Sequence, residues 1–161
     1  MTADQAIYFL NKAHQYSLVH SGCKKVNVGS VIVFSNGTET DYYPVSYGAN
    51  VTVPDLCKST ECMRVQKYGE DSKNHRLPSD CRAIHSEIDA IINVEGSVRG
   101  CTIVVTRYPC EACARAIIAA GITRVVYGRK QKISEETKNM FDSYGVEVIH
   151  VDSWDQEDTT R

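Results

Sequence analysis

From Gly100 onward the chain repeats one unit, a short β-rich run followed by a helical stretch and then another β-rich run. Residues 100–106 read Gly-Cys-Thr-Ile-Val-Val-Thr, a continuous apolar run of strand length. Residues 110–120 are rich in alanine and isoleucine and stop at Gly121, the pattern of a helix with glycine just past its end. Val125-Val126-Tyr127 is the next strand. Ser134 opens a further helix with Glu135 and Glu136 in its first turn, where the helix dipole favours acids; Tyr144-Gly145 closes it before a last strand at 146–151. Strands joined through helices run parallel, so this half predicts a parallel sheet.

The first half adds different pieces. Ala6, Ile7, Leu10 and Ala13, with Tyr16 or Leu18, form a helical stripe over residues 3–19, and Thr2 stands where a cap belongs. A β-rich run at 26–34 is closed by Ser35-Asn36-Gly37, a hairpin signal, and 40–49 reads as its antiparallel return. Residues 51–79 lose periodicity and collect Pro54, Cys57, Cys62, Gly69, His75 and Pro78, which marks a long insertion. A helical pattern resumes over 81–94 through Ala83, Ile84, Ile88, Ile91 and Ile92. The fold class expected is α/β, a three-layer α/β/α sandwich around a five-stranded mixed sheet. Residues 1–151 form one domain in this reading, and 152–161 a loose polar tail.

With 161 residues, 42% of them hydrophobic and 24% charged, one domain can bury an adequate core without staples. The formal charge of −2 provides no whole-chain positive field, which argues against polymeric nucleic acid as a partner. Lys24-Lys25 could meet a single phosphate group or be a solvated turn. No window approaches the length of an apolar membrane span, and residues 1–16 mix acids, amides and a lysine with apolar positions, so neither membrane anchor nor signal peptide is expected. Seven cysteines, an odd number, include a Cys-x-x-Cys pair. That pattern suits thiols kept reduced for metal, hence a cytoplasmic setting.

Two motifs carry chemistry. His85-Ser86-Glu87 opens the second helical pattern, and Pro109-Cys110-Glu111-Ala112-Cys113 opens the third. Two cysteines three apart on a first helical turn can both bind one zinc ion, and the helix N-terminus lowers their pKa towards the thiolate. With His85 as third ligand, a fourth tetrahedral position stays open for water, which distinguishes a catalytic zinc from a closed structural one. Glu87, two residues from a ligand, is placed to carry protons. His-x-Glu followed by Pro-Cys-x-x-Cys is the signature of zinc deaminases that act on nucleobases.

The block Thr106-Arg107-Tyr108-Pro109-Cys110-Glu111-Ala112-Cys113-Ala114-Arg115-Ala116-Ile117-Ile118-Ala119-Ala120-Gly121-Ile122 resembles the corresponding block of deoxycytidylate deaminases. The segment from Cys81 to Glu87, the run Val28-Gly29-Ser30-Val31-Ile32-Val33 and the end of the chain around Tyr144-Gly145-Val146 are similar to theirs as well. The resemblance implies a cytidine deaminase-like fold and the conversion of dCMP to dUMP with release of ammonia. It implies that Asn50 binds sugar or base and that Tyr108 stacks near the pyrimidine. It further implies a homo-oligomer, often a hexamer, open to control by nucleoside triphosphates. Some similar deaminases hold a second, structural zinc, for which Cys57, Cys62, His75 and Cys81 are the candidate ligands. The chain departs from the family at Ser86, commonly alanine, at Asp89, commonly asparagine, and across Gly48-Ala49-Asn50-Val51-Thr52-Val53-Pro54, in the region expected to touch sugar and phosphate.

Two other readings stay open on sequence. One keeps deamination but changes the substrate to another nucleoside, nucleotide or base. The other is a non-catalytic module in which four of the Cys and His residues close a structural zinc site, which leaves Glu87 without a role.

Overall fold

In the computed structural model, residues 1–23, 25–38, 41–52, 62–69, 81–130 and 134–154 are described. Helix α1 spans Ala3–His20, and strands β1 and β2 span Gly29–Ser35 and Tyr42–Ala49. Short strand β3 is Val51–Thr52, helix α2 Met63–Tyr68, short strand β4 Ala83–Ile84 and helix α3 Ser86–Ile92. The second half runs β5 at Thr102–Arg107, α4 at Glu111–Ala119, β6 at Arg124–Arg129, α5 at Glu135–Ser143 and β7 at Glu147–His150.

The five long strands form one mixed sheet in the order β2-β1-β5-β6-β7, with β1 antiparallel to both neighbours and β5, β6 and β7 parallel. Both helical crossovers step the same way across the sheet, from β5 to β6 and from β6 to β7. Right-handed connections therefore place α4 and α5 on one face. Ile117 of α4, Phe141 of α5 and Ala90 of α3 pack there against Ile32, Ile103, Val105 and Val125. The amphipathic helix α1 covers the opposite face, where Ala6, Phe9, Leu10 and Ala13 meet Val31, Val33, Val104 and Val126. Neighbours in sequence such as Val31 and Ile32 thus serve different cores, as the period of two requires. The three-layer sandwich is the one expected from the alternation of strands and helices.

Strand β1 starts at Gly29 rather than at residue 26, and three larger differences from the sequence expectation follow. The helix read over 81–94 begins only at Ser86, because Ala83 and Ile84 are drawn out to pair antiparallel with Thr52 and Val51. A tertiary pairing overrides apolar spacing that also fits a helix. Within the stretch read as an unstructured insertion lie β3 and α2; elements of two and six residues are too short to show a period. The loose tail starts later than Asp152, since Val151 and Trp154 are buried. Trp154 donates its indole N–H to Asn11 Oδ1 at 2.9 Å, and its ring lies over Gly128, where an added Cβ would come within 2.2 Å of it.

Candidate active site

The start of α3 and the start of α4 meet on the face away from α1. His85 is the residue before α3, extended at φ −71° and ψ 151°, and Cys110 holds the same place before α4 at φ −80° and ψ 170°. Each side chain therefore stands at a helix N-terminus, where unpaired N–H groups favour negative charge. Cys113, one turn into α4, is fully buried, and Glu87 in the first turn of α3 is 4% exposed. The close seat of α3 depends on Gly48 of β2: a Cβ there would lie 2.1 Å from the Ser86 carbonyl oxygen and 2.4 Å from the Ala90 nitrogen.

His85 Nδ1 lies 3.4 Å from Cys110 Sγ and 3.4 Å from Cys113 Sγ, and the three ligand atoms all fall within 4.8 Å of one another. Zinc bonds of about 2.0–2.1 Å to nitrogen and 2.3 Å to sulfur, at the tetrahedral angle, set these pairs about 3.6 Å apart. The donor set, one imidazole and two thiols, is also the set that zinc prefers. Both its chemistry and its spacing fit the ion.

The thiols divide their roles. Cys110 is driven down to about 3, first by the Cys113 thiol that donates to it and then by His85. Cys113 is pushed up, first by that same bond and then by burial. His85 is raised to about 10, chiefly by its bonds to Cys110 and Cys81. Burial raises Glu87 above the usual carboxylate range, against the opposing pull of His85.

The other residues singled out by sequence have different surroundings. Asn50 is buried at 5% exposure; its Oδ1 accepts from Ser21 Oγ at 2.6 Å and from the Val28 N–H at 2.8 Å, and its Nδ2 donates to the Val26 carbonyl at 2.7 Å. Tyr108 is buried with its ring edge-on to Tyr127 and Phe141, in the core. Of the candidates for a second zinc, Cys57 and His75 lie outside the described residues. Cys62 is the half-buried residue before α2. Cys81 bonds to His85, which lowers its pKa. Among the described residues, only His85, Cys110 and Cys113 gather as metal ligands.

Two contacts escape sequence reading. Ser86 Oγ lies 2.7 Å from Ser30 Oγ and 3.2 Å from Glu87 Oε2. Asp89, at the position where the resemblance leads one to expect asparagine, accepts from the Ala49 N–H at 3.0 Å and from Asn93 Nδ2 at 3.1 Å, and so ties α3 to the end of β2. The family departures at 86 and 89 were the available signal; Ser30 offered none.

The sequence pattern of the cytidine and deoxycytidylate deaminase zinc-binding region matches residues 3–129. The chain is 32% identical over 127 residues to the deoxycytidylate deaminase of Mycobacterium phage D29, covering 76% of this chain and 93% of that protein. It is 33% identical over 112 residues to the mouse deoxycytidylate deaminase, covering 68% of this chain and 57% of the relative. Its fold is similar to that of the dCMP deaminase from cyanophage S-TIM5, solved with dCMP and dUMP, at a TM-score of 0.66 and 22% identity over 93% of this chain and 98% of that one. Because the matched region runs from α1 to the end of β6 and takes in both helix starts at the site, the chain belongs to the cytidine and deoxycytidylate deaminase family.

Proposed function

We propose that this protein hydrolyses deoxycytidine monophosphate to deoxyuridine monophosphate and ammonia. The observation that carries the reading is a single buried carboxylate, Glu87, two residues from a compact His, Cys, Cys ligand set. The nucleotide is supported by relatives named as deoxycytidylate deaminases, and by the fold neighbour solved with dCMP and dUMP.

In this reading His85, Cys110 and Cys113 would hold the zinc ion, their imidazole and thiols being the donors it prefers. When bound there, the ion would supply a water activated as a nucleophile at neutral pH. Glu87 takes the proton that this water loses and passes it to N3 of the cytosine ring. Once the oxygen of that water has bonded to C4, Glu87 takes its remaining proton and delivers it to the amino group, so that the C4–N bond breaks, ammonia departs and the C4 carbonyl forms. Water and dCMP are consumed, dUMP and ammonia are formed, and Glu87 ends as it began. Its burial keeps bulk water from competing for the proton.

Ammonia release from a panel of nucleotides, nucleosides and bases tests the substrate. The expected result is faster turnover of dCMP than of deoxycytidine at low concentration. Equal turnover of the nucleoside would set aside the nucleotide while leaving the deamination intact. The same reading includes a homo-oligomer, supported by the exposed apolar side chains of Phe34, Tyr43 and Val45 on the edge hairpin. None of the described helices is long and apolar enough to cross a membrane.

A further inference from the structure

Ser30 and Ser86 are both fully buried, and their hydroxyl oxygens meet between strand β1 and the first turn of α3. Ser30 stands on β1 in register with Gly48 of β2 and Val105 of β5, so strands on both sides fix its position. The absent side chain of Gly48 is what lets the Ser86 backbone come down onto that part of the sheet.

A serine hydroxyl has one proton to donate, and Ser86 has two acceptors in reach: Ser30 Oγ at 2.7 Å and Glu87 Oε2 at 3.2 Å. A carboxylate is the stronger acceptor. With the Ser86 proton on Glu87, the short contact to Ser30 is satisfied only if Ser30 donates to Ser86. The bonds then point one way, from the sheet to Ser86 to Glu87 Oε2.

We propose that Ser30 and Ser86 are positioning residues for Glu87, a two-hydroxyl chain that anchors Oε2 to strand β1 and so orients the carboxyl group that exchanges protons with the substrate. The inference rests on the reading of Glu87 as proton carrier. It gives Ser86 a task that the alanine common in the family cannot perform, and it explains a polar pair at two sites with no solvent. A pair that merely satisfied itself would behave otherwise, because replacing both buried partners by apolar groups of similar shape is close to neutral.

The test is steady-state kinetics on dCMP with the zinc-loaded full chain, beside metal analysis and thermal melting, for Ser86→Ala, Ser30→Ala, the double variant and Glu87→Gln. Ser86→Ala is expected to keep its zinc and a KM within about twofold, while kcat falls about tenfold, the scale of a lost bond to a charged group. Ser30→Ala should lower kcat about threefold, and should add nothing once Ser86 is alanine, since the chain is already cut. Ser86→Ala with kcat within about twofold of the parent, beside an inactive Glu87→Gln, overturns this inference alone. So do losses that simply multiply in the double variant. Activity retained by Glu87→Gln overturns the reading of Glu87 and this inference with it. Should Ser86→Ala fail to fold, Ser30→Ala decides: a lowered kcat at constant KM supports the chain, and an unchanged kcat removes it.

Discussion

Glu87 and Cys110 sit at neighbouring helix starts, yet their removal should fail in different ways. Glu87→Gln preserves size and most hydrogen bonding but cannot carry a proton, so it is expected to keep zinc and fold while losing about 10⁴-fold or more in turnover, about 6 kcal/mol in barrier. Cys110→Ala should instead lose the metal. Zinc content measured beside rate separates the two, and a fully loaded Glu87→Gln protein with more than about a tenth of parental activity would show that another group moves the proton. Asn50 invites a subtler substitution. Asn50→Asp keeps the acceptor that serves Ser21 and Val28 but sets a carboxylate oxygen against the Val26 carbonyl, which now receives a bond of 2.7 Å. Denaturant unfolding should show a loss of about 2–3 kcal/mol; an unchanged midpoint would mean that this amide does not hold the chain between α1 and β1. At this scale the gathering of His85, Cys110 and Cys113 is legible in sequence because each of the two motifs is short and its chemistry narrow. The Ser30–Ser86 contact is not, since it joins side chains 56 positions apart that only the fold brings together.

Elements are legible where length lets a period repeat. Helix α1, with 18 residues and a capping box formed by Thr2 and Gln5, matches its sequence reading to within a residue at either end. The strand-helix alternation after residue 100 appears in the expected order with ends shifted by at most two residues, because each helix there carries its own stop signal. The failures come where a distant partner decides. Ala83 and Ile84 obey a helical period, but β3 claims them as a strand, and the consequence is functional: His85 is held as the extended residue before α3. Seating α3 also depends on Gly48. Gly48→Ala would drive a methyl group into α3 backbone at two points, and since neither backbone atom can turn aside, a loss of about 2–3 kcal/mol in stability and a matching fall in turnover are expected. Melting and kinetics on the same preparation check this; an active protein with an unchanged melting temperature would show that α3 can ride outward without harm.

For the molecule as a whole, the two hydrophobic cores lie on either side of the sheet and neither is built on the metal ligands, Cys113 apart. Chelation should therefore abolish activity and lower the melting temperature while leaving the circular dichroism of the folded protein. Unfolding on zinc removal would instead favour the structural-module reading. The layered architecture is legible in sequence because parallel crossovers have one hand and amphipathic helices need a face to cover. The docking of Trp154 is not, since one aromatic in a polar ending gives no pattern.

The place of β1 in the sheet also bears on how the protein is made. One flank of β1 pairs with β2, close by in the chain, but the other pairs with β5, so that Val31 finds Val104 only after most of the domain has been synthesised. Until then the nascent hairpin leaves the ribosome with a row of backbone amides and carbonyls unmatched along an apolar strand, a surface that invites wrong pairings. The stretch at 51–79 lies inside the loop that this pairing closes. Doubling such a loop costs only about 0.6 kcal/mol at equilibrium, so evolution can lengthen it with little loss of stability. The toll falls on the speed of closure, and with it on the time the growing chain spends exposed.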